Sequence, residues 1–337
     1  MAAAAKADAE WVAAQKPKPG EIRMISCHAA GGPAGYTWDE SVRIVKAGGF
    51  NCVAPNVAWG DRIFRKEAEE CLAACRKHGV GCALWKVCWK PFEKNASSGL
   101  PGRCQIGFNG KPLARTWLCP SDPANVKSEV EMCVELAKMG PDYISLDYVR
   151  YPDQNACFCD GCRALFERQH GKVANWPKDV RRNPDLAKKW TRFRCANITG
   201  FLREVARRVR EETPGVKIRA SVFRNPESTA DEVAQEWVEW CKEGLLDLVS
   251  PMNYYSHSPF AYKMRLQGQK SLIEGTGVAM MSGIGLSTWN ETGSDAKRIC
   301  EEINAIREMG LQGFGVFELR ERAIKVLPQL RAGITSE

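Results

Sequence analysis

The chain has 337 residues, 44% of them hydrophobic and 26% charged, a composition that excludes a disordered chain or a fibre. Its apolar runs fall short of the roughly 18 residues that cross a bilayer, so no membrane span is expected. The net charge of +8 is local: residues 163–219 hold 16 Lys/Arg against 6 Asp/Glu, while the remainder holds 32 against 34.

The first 20 residues are Ala-rich and end in Lys16-Pro17-Lys18-Pro19-Gly20. They lack the apolar core of a signal peptide and read as an N-terminal extension or linker. A cytoplasmic protein and a mature form cut from a longer precursor both fit. From residue 21, β-rich runs begin at Ile22, Asn51, Val80, Asp142, Val216, Leu246, Gly277 and Gly313. Amphipathic stretches at 38–47, 63–78, 124–139, 190–213, 231–243, 259–274, 295–309 and 321–331 read as helices. The strand starts are spaced by 29, 29, 62, 74, 30, 31 and 36 residues, mostly the size of one βα unit. Eightfold alternation predicts a parallel sheet closed into one (β/α)8 TIM barrel over 21–332. The two stretched spacings place long loops after strands 3 and 4, at 90–120 and 152–190, over the barrel mouth. An open doubly wound sheet fits less well, since no Gly-x-Gly-x-x-Gly follows the first strand.

In such a barrel, function lies at the C-terminal ends of the strands. Asp147 is the sharpest residue there, a carboxylate ending the apolar run Tyr143-Ile144-Ser145-Leu146. Buried strands do not tolerate a carboxylate without a partner, and Arg150 is the expected partner that holds it ionised. Glycoside hydrolysis usually takes two carboxyl groups. Glu318, at the end of strand eight, is the favoured second one, with Glu227 and Asp153 as rivals. His28, Asn56, Trp59, Trp85, Lys86, Arg150, Tyr151, Arg224, Asn253, Tyr254, His257 and Trp289 also fall in the mouth windows. Flat aromatic faces among amide and charged groups suit a sugar, whose C–H faces stack and whose hydroxyls hydrogen-bond. Lys86 reads as a hydrogen-bond donor or a counterion to Asp147.

Fifteen cysteines, an odd number spread through a long chain, are not a secreted disulfide framework. Cys157, Cys159 and Cys162 form a Cys-x-Cys-x-x-Cys run in the 152–190 insertion, which is metal-ligand spacing. A closed structural zinc site needs a fourth ligand, with Cys195, Cys119, Cys104 and His170 as candidates. One disulfide plus a free thiol, or three reduced thiols, are the competing states.

The stretch from Tyr143 through Asp147 to Pro152 resembles the strand-four motif of glycoside-hydrolase-like TIM barrels, the family-10-type glycosyl hydrolase-like group. Trp117-Leu118-Cys119-Pro120-Ser121-Asp122-Pro123 and Val249-Ser250-Pro251-Met252-Asn253-Tyr254-Tyr255 agree with it. The resemblance implies a carbohydrate-active enzyme with Asp147 as nucleophile or charge stabiliser and no cofactor for catalysis. Related α-glycosidase barrels take the acid/base from another strand, whereas strand six here offers Asn253. A catalytically silent, sugar-binding barrel is the alternative. The expected partner is a carbohydrate; an acidic glycan would be met by Arg163, Lys172, Arg181 and Arg182 in the insertion. No zinc-finger, RRM or helix-turn-helix pattern points to nucleic acid.

Overall fold

The computed structural model describes residues 2–28, 35–254, 258–288 and 295–336. Eight parallel strands form the barrel: β1 Ile22–Cys27, β2 Cys52–Trp59, β3 Gly81–Val87, β4 Tyr143–Asp147, β5 Lys217–Val222, β6 Leu248–Pro251, β7 Ala279–Gly285 and β8 Gly313–Phe317. Each starts within two residues of its expected position. Each pairs with its neighbour, and β1 pairs with both β2 and β8, which closes the ring. A two-residue strand, Arg62–Ile63, runs antiparallel to the end of β2.

Period-two alternation sorts each strand into two faces. On β4, Ile144 and Leu146 face outward into the layer shared with the helices, as do Ile25, Val53, Leu84, Ile218 and Val249 from other strands. Met24, Cys52, Ala54, Ala83, Leu248 and Met281 fill the barrel interior as a separate cluster. Interior residues nearer the C-terminal ends become polar: Asn56, Ser145, Asp147, Arg219, Ser221 and Ser250 are all buried.

Helix ends follow local chemistry. Thr37 and Glu40 make a capping box on the Trp38–Ala47 helix. Asp122 caps the Pro123–Lys138 helix by accepting from the Ala124 and Asn125 amides. Gly79 ends the Arg65–His78 helix in the left-handed region that favours glycine.

Three expectations change. The N-terminal extension holds a helix, Ala2–Ala13, whose Val12 is buried in the core and whose Asp8 meets Lys297 at 2.8 Å. The 152–190 insertion is not simply loop: it contains the Asp160–His170 and Lys178–Arg182 helices and the start of a long helix, Pro184–Glu212. Phe158, Phe166, Trp176 and Trp190 pack face and edge within it. The helix expected at 231–243 is two helices, Pro226–Val233 and Trp237–Lys242. They break at Ala234, φ 58°, where Gln235 turns inward to accept from the Phe223 amide at 2.7 Å.

Candidate active site at the barrel mouth

His28 directly follows β1 and stands at the centre of the mouth. Its ring meets the edge of Trp85 at 4.3 Å and of Phe317 at 5.4 Å between centroids. Tyr254 stacks on the same Phe317, 5.3 Å away at 25°. Gly283 makes room for that tyrosine, because a Cβ there would sit 2.8 Å from its ring. The indole N–H of Trp85 is buried without a hydrogen-bond partner among the described residues.

Glu318 follows β8 and is 3% exposed. Its Oε2 accepts from the His28 amide at 3.2 Å and lies 2.7 Å from His28 Nδ1, while Oε1 is 2.8 Å from Arg320 Nε. Asp147 ends β4 and is 8% exposed. Tyr148, with φ 57°, turns its amide back to donate to Asp147 Oδ1 at 2.7 Å. Burial pushes the Asp147 carboxyl above the usual carboxylate range, opposed by that amide and by the charges of Arg150, Arg219 and His28. Glu318 is therefore the carboxyl group in direct contact with His28.

Arg150 does not hold Asp147 in an ion pair. Its Nη1 donates to the carbonyls of Tyr151 and Pro152, and its guanidinium is 4.5 Å from the Tyr148 ring centroid and 4.7 Å from that of Phe223. Arg150 favours the ionised form of Asp147 only as a more distant charge, which burial outweighs.

Other residues named from sequence divide by strand face. Asn56 points inward and donates to the Trp85 carbonyl at 3.3 Å. Trp59 lies on the rim beside Phe92 and under Lys90. Arg224 and Tyr254 line a cleft of about 290 Å3 with Phe223 and Met252. Lys86 points outward from β3 into a closed pair with Glu129, 2.7 Å apart and both fully buried, so it reaches neither Asp147 nor a substrate. Tyr151 is also fully buried, its hydroxyl accepting from Asn197 at 3.2 Å. Asn253 donates to Gln269 and Ser282 in a closed network and is 0% exposed, which removes it from the mouth. Glu227 and Asp153 are exposed, on the first turn of a helix and in the insertion. His257 and Trp289 lie outside the described residues.

Arg219 was not anticipated. It points into the barrel from β5 and donates to Ser145 Oγ, and its Nε has no hydrogen-bond partner among the described residues. The signal was available: Ile218, Ala220 and Val222 face outward, so the period puts Arg219 inside.

Where the loops after β3 and β4 meet, Cys119, Cys157, Cys159 and Cys162 bring four buried sulfurs within 4.8 Å of one another. Cys119 supplies the fourth corner, not Cys195, Cys104 or His170. Its sulfur is 3.9 Å from that of Cys159 and 3.5 Å from that of Cys162. A tetrahedral zinc with Zn–S near 2.3 Å needs sulfurs about 3.8 Å apart, so the donor set and spacing fit that ion. The Ile106 and Cys162 amides donate to Cys157 and Cys159, as thiolates favour.

A sequence model of the family described as "Putative glycosyl hydrolase domain" matches residues 88–270. No curated protein matches the sequence. Among solved structures, the catalytic domain of β-amylase from Paenibacillus polymyxa is 12% identical, with 90% of this chain and 93% of that one covered and a TM-score of 0.62. The β-galactosidase from Bacillus circulans sp. alkalophilus is 15% identical with a TM-score of 0.69, the match covering 92% of this chain and 55% of that one. The glycoside hydrolase domain of PelA from Pseudomonas aeruginosa is 13% identical over 92% of this chain and 97% of that one, with a TM-score of 0.51. At these identities the likeness concerns the fold.

Proposed function

Because the chain belongs to that glycosyl hydrolase domain family, whose model spans more than half of it, we propose that it is a glycosidase using Asp147 and Glu318 as its two carboxyl groups. The observation that carries this reading is that two buried carboxyl groups, Asp147 at the end of β4 and Glu318 directly after β8, stand at the C-terminal mouth of the barrel. Cleaving a glycosidic bond takes one carboxyl group to protonate the leaving oxygen and another to serve as base or nucleophile. The two tasks need different environments. Burial favours the protonated form of Asp147, which suits the general acid. Glu318 receives donors on both oxygens, which fix its carboxyl group in place for the base or nucleophile role. This reverses the role expected for Asp147 from its sequence motif. The unpartnered Trp85 N–H and the Tyr254–Phe317 stack suit a sugar hydroxyl and a sugar face.

The four thiols would hold a structural zinc that fastens the two long loops to each other; with four protein ligands it has no open position for substrate.

The test is reducing-end release from a broad oligosaccharide panel. Asp147→Asn and Glu318→Gln should each lower the rate about 10²–10⁴-fold while the melting temperature stays close to wild type. The wild-type rate should fall as pH rises through the elevated pKa of Asp147. An Asp147→Asn variant that turns over at the wild-type rate removes this mechanism. One observation favours the silent, sugar-binding alternative: Glu318 is 3% exposed and both of its oxygens are engaged. Binding by calorimetry with no reducing ends released would support that alternative.

A further inference from the structure

The rim between β2, β3 and β4 gathers cations that stand in no ion pair among the described residues, Asp147 and Asp153 acting on Arg150 only at longer range. Lys90 is half-buried, its Nζ 5.4 Å from the ring centroids of both Trp59 and Tyr148. Arg150, also half-buried, shares the Tyr148 ring and lies 5.4 Å from the Trp117 centroid. Burial first, then the charges of Arg115, Arg150 and Lys94, push the Lys90 amine below its ordinary range. Among the described residues, none of these four cations stands in an ion pair; the contacts of Lys90 and Arg150 are ring faces and backbone carbonyls.

On the long helix that carries much of the positive surplus, several cations are paired: Arg203 meets Glu243 at 2.7 Å, Arg207 meets Glu204 at 2.7 Å and Arg208 meets Glu212 at 2.6 Å. Within the insertion, Arg163 is paired with Glu167, and Arg181 is spent on Asn155 and the Phe108 ring. Two of the four insertion cations expected to meet an acidic glycan are thus already engaged. Crowding like charges while desolvating two of them costs free energy at this rim, and an anion placed among them recovers it. Aromatic faces hold Lys90 in place without using up its N–H donors.

We propose that this rim selects an anionic saccharide, a sugar chain bearing carboxylate or sulfate groups, whose negative substituent is received by Lys90 and Arg150, with the exposed Arg115 adding positive charge nearby. The saccharide part of this inference rests on the glycosidase reading; the charge part rests on the rim cations alone.

The experiment measures binding of the full chain, by calorimetry, to uronic-acid oligomers, to their neutral methyl esters, and to sulfated and unsubstituted hexose oligomers. Reducing-end release is followed in parallel. At least one anionic class should bind about tenfold tighter than its neutral counterpart, and added salt should erode the difference. Preference for the uronates or for the sulfated oligomers identifies which anionic group is received. Lys90→Met keeps the apolar stem over Trp59, and Arg115→Gln alters an exposed residue. Each should weaken the anionic ligand severalfold more than the neutral one. Turnover or binding of neutral and anionic saccharides with equal affinity overturns the charge preference and leaves the glycosidase reading standing. Failure of every saccharide class to bind overturns both.

Discussion

Glu302 lies on the Asp295–Glu308 helix with Arg298 3.0 Å from its Oε1, while Oε2 is buried without a hydrogen-bond partner. Burial pushes its carboxyl up to about 7, against the pull of Arg298. An unfolded Glu titrates near 4.3, so between about pH 4.3 and 7 the folded chain binds more protons than the unfolded one. Stability contributed by this group is greatest below that interval and is lost as pH rises through it. Glu302→Gln should remove the slope, gaining about 1–3 kcal/mol over wild type above pH 7 and little near pH 4, as read from thermal melts across pH. A variant whose melting curve keeps the wild-type pH slope would contradict this. The same weighing of burial against charge operates at Asp147, and there sequence reasoning stopped short. The residue could be singled out because a carboxylate ended an apolar run. Its protonation preference could not be found, because Arg150 turns to backbone carbonyls and leaves desolvation in charge. Lys86 shows the opposite limit: strand alternation marks it as outward, and only its partner Glu129, from a distant helix, explains why a charge survives there.

Strand positions were readable within two residues, because period-two alternation and glycine helix ends are local signals. The insertion was harder. Its helices are short and held by ring packing among Phe158, Phe166, Trp176 and Trp190, which leaves no 3.6-residue pattern to follow. The Cys-x-Cys-x-x-Cys run was visible by spacing, but Cys119 arrives from the loop after β3, so four candidates stood equal until the two loops met. A metal there would join both long loops. Metal analysis of freshly purified, untagged chain should find about one zinc per chain. Cys119→Ser should lower that content, reduce the melting temperature and hasten proteolysis within 90–120 and 152–182. Zinc at trace level in the wild type, or unchanged in the variant, would dismiss the site.

Closure of the ring makes the mouth a single place. At the seam, Gly313 pairs with Ile22, and a Cβ on Gly313 would fall 2.0 Å from the Ile22 carbonyl oxygen. Gly313→Ala must therefore force β1 and β8 apart, and a loss of about 3 kcal/mol or more in urea unfolding is expected. A variant as stable as wild type would mean that the seam yields without cost. What the sequence determined alone is the alternation of strand and helix and the barrel it implies, since these depend on periods a few residues long. Only the tertiary structure decided which charged groups meet. His28 and Glu318 are 290 residues apart in the chain and 2.7 Å apart in space, because closing the barrel brings its first and last strands side by side. No local pattern encodes that distance, and the chemistry at the mouth depends on it.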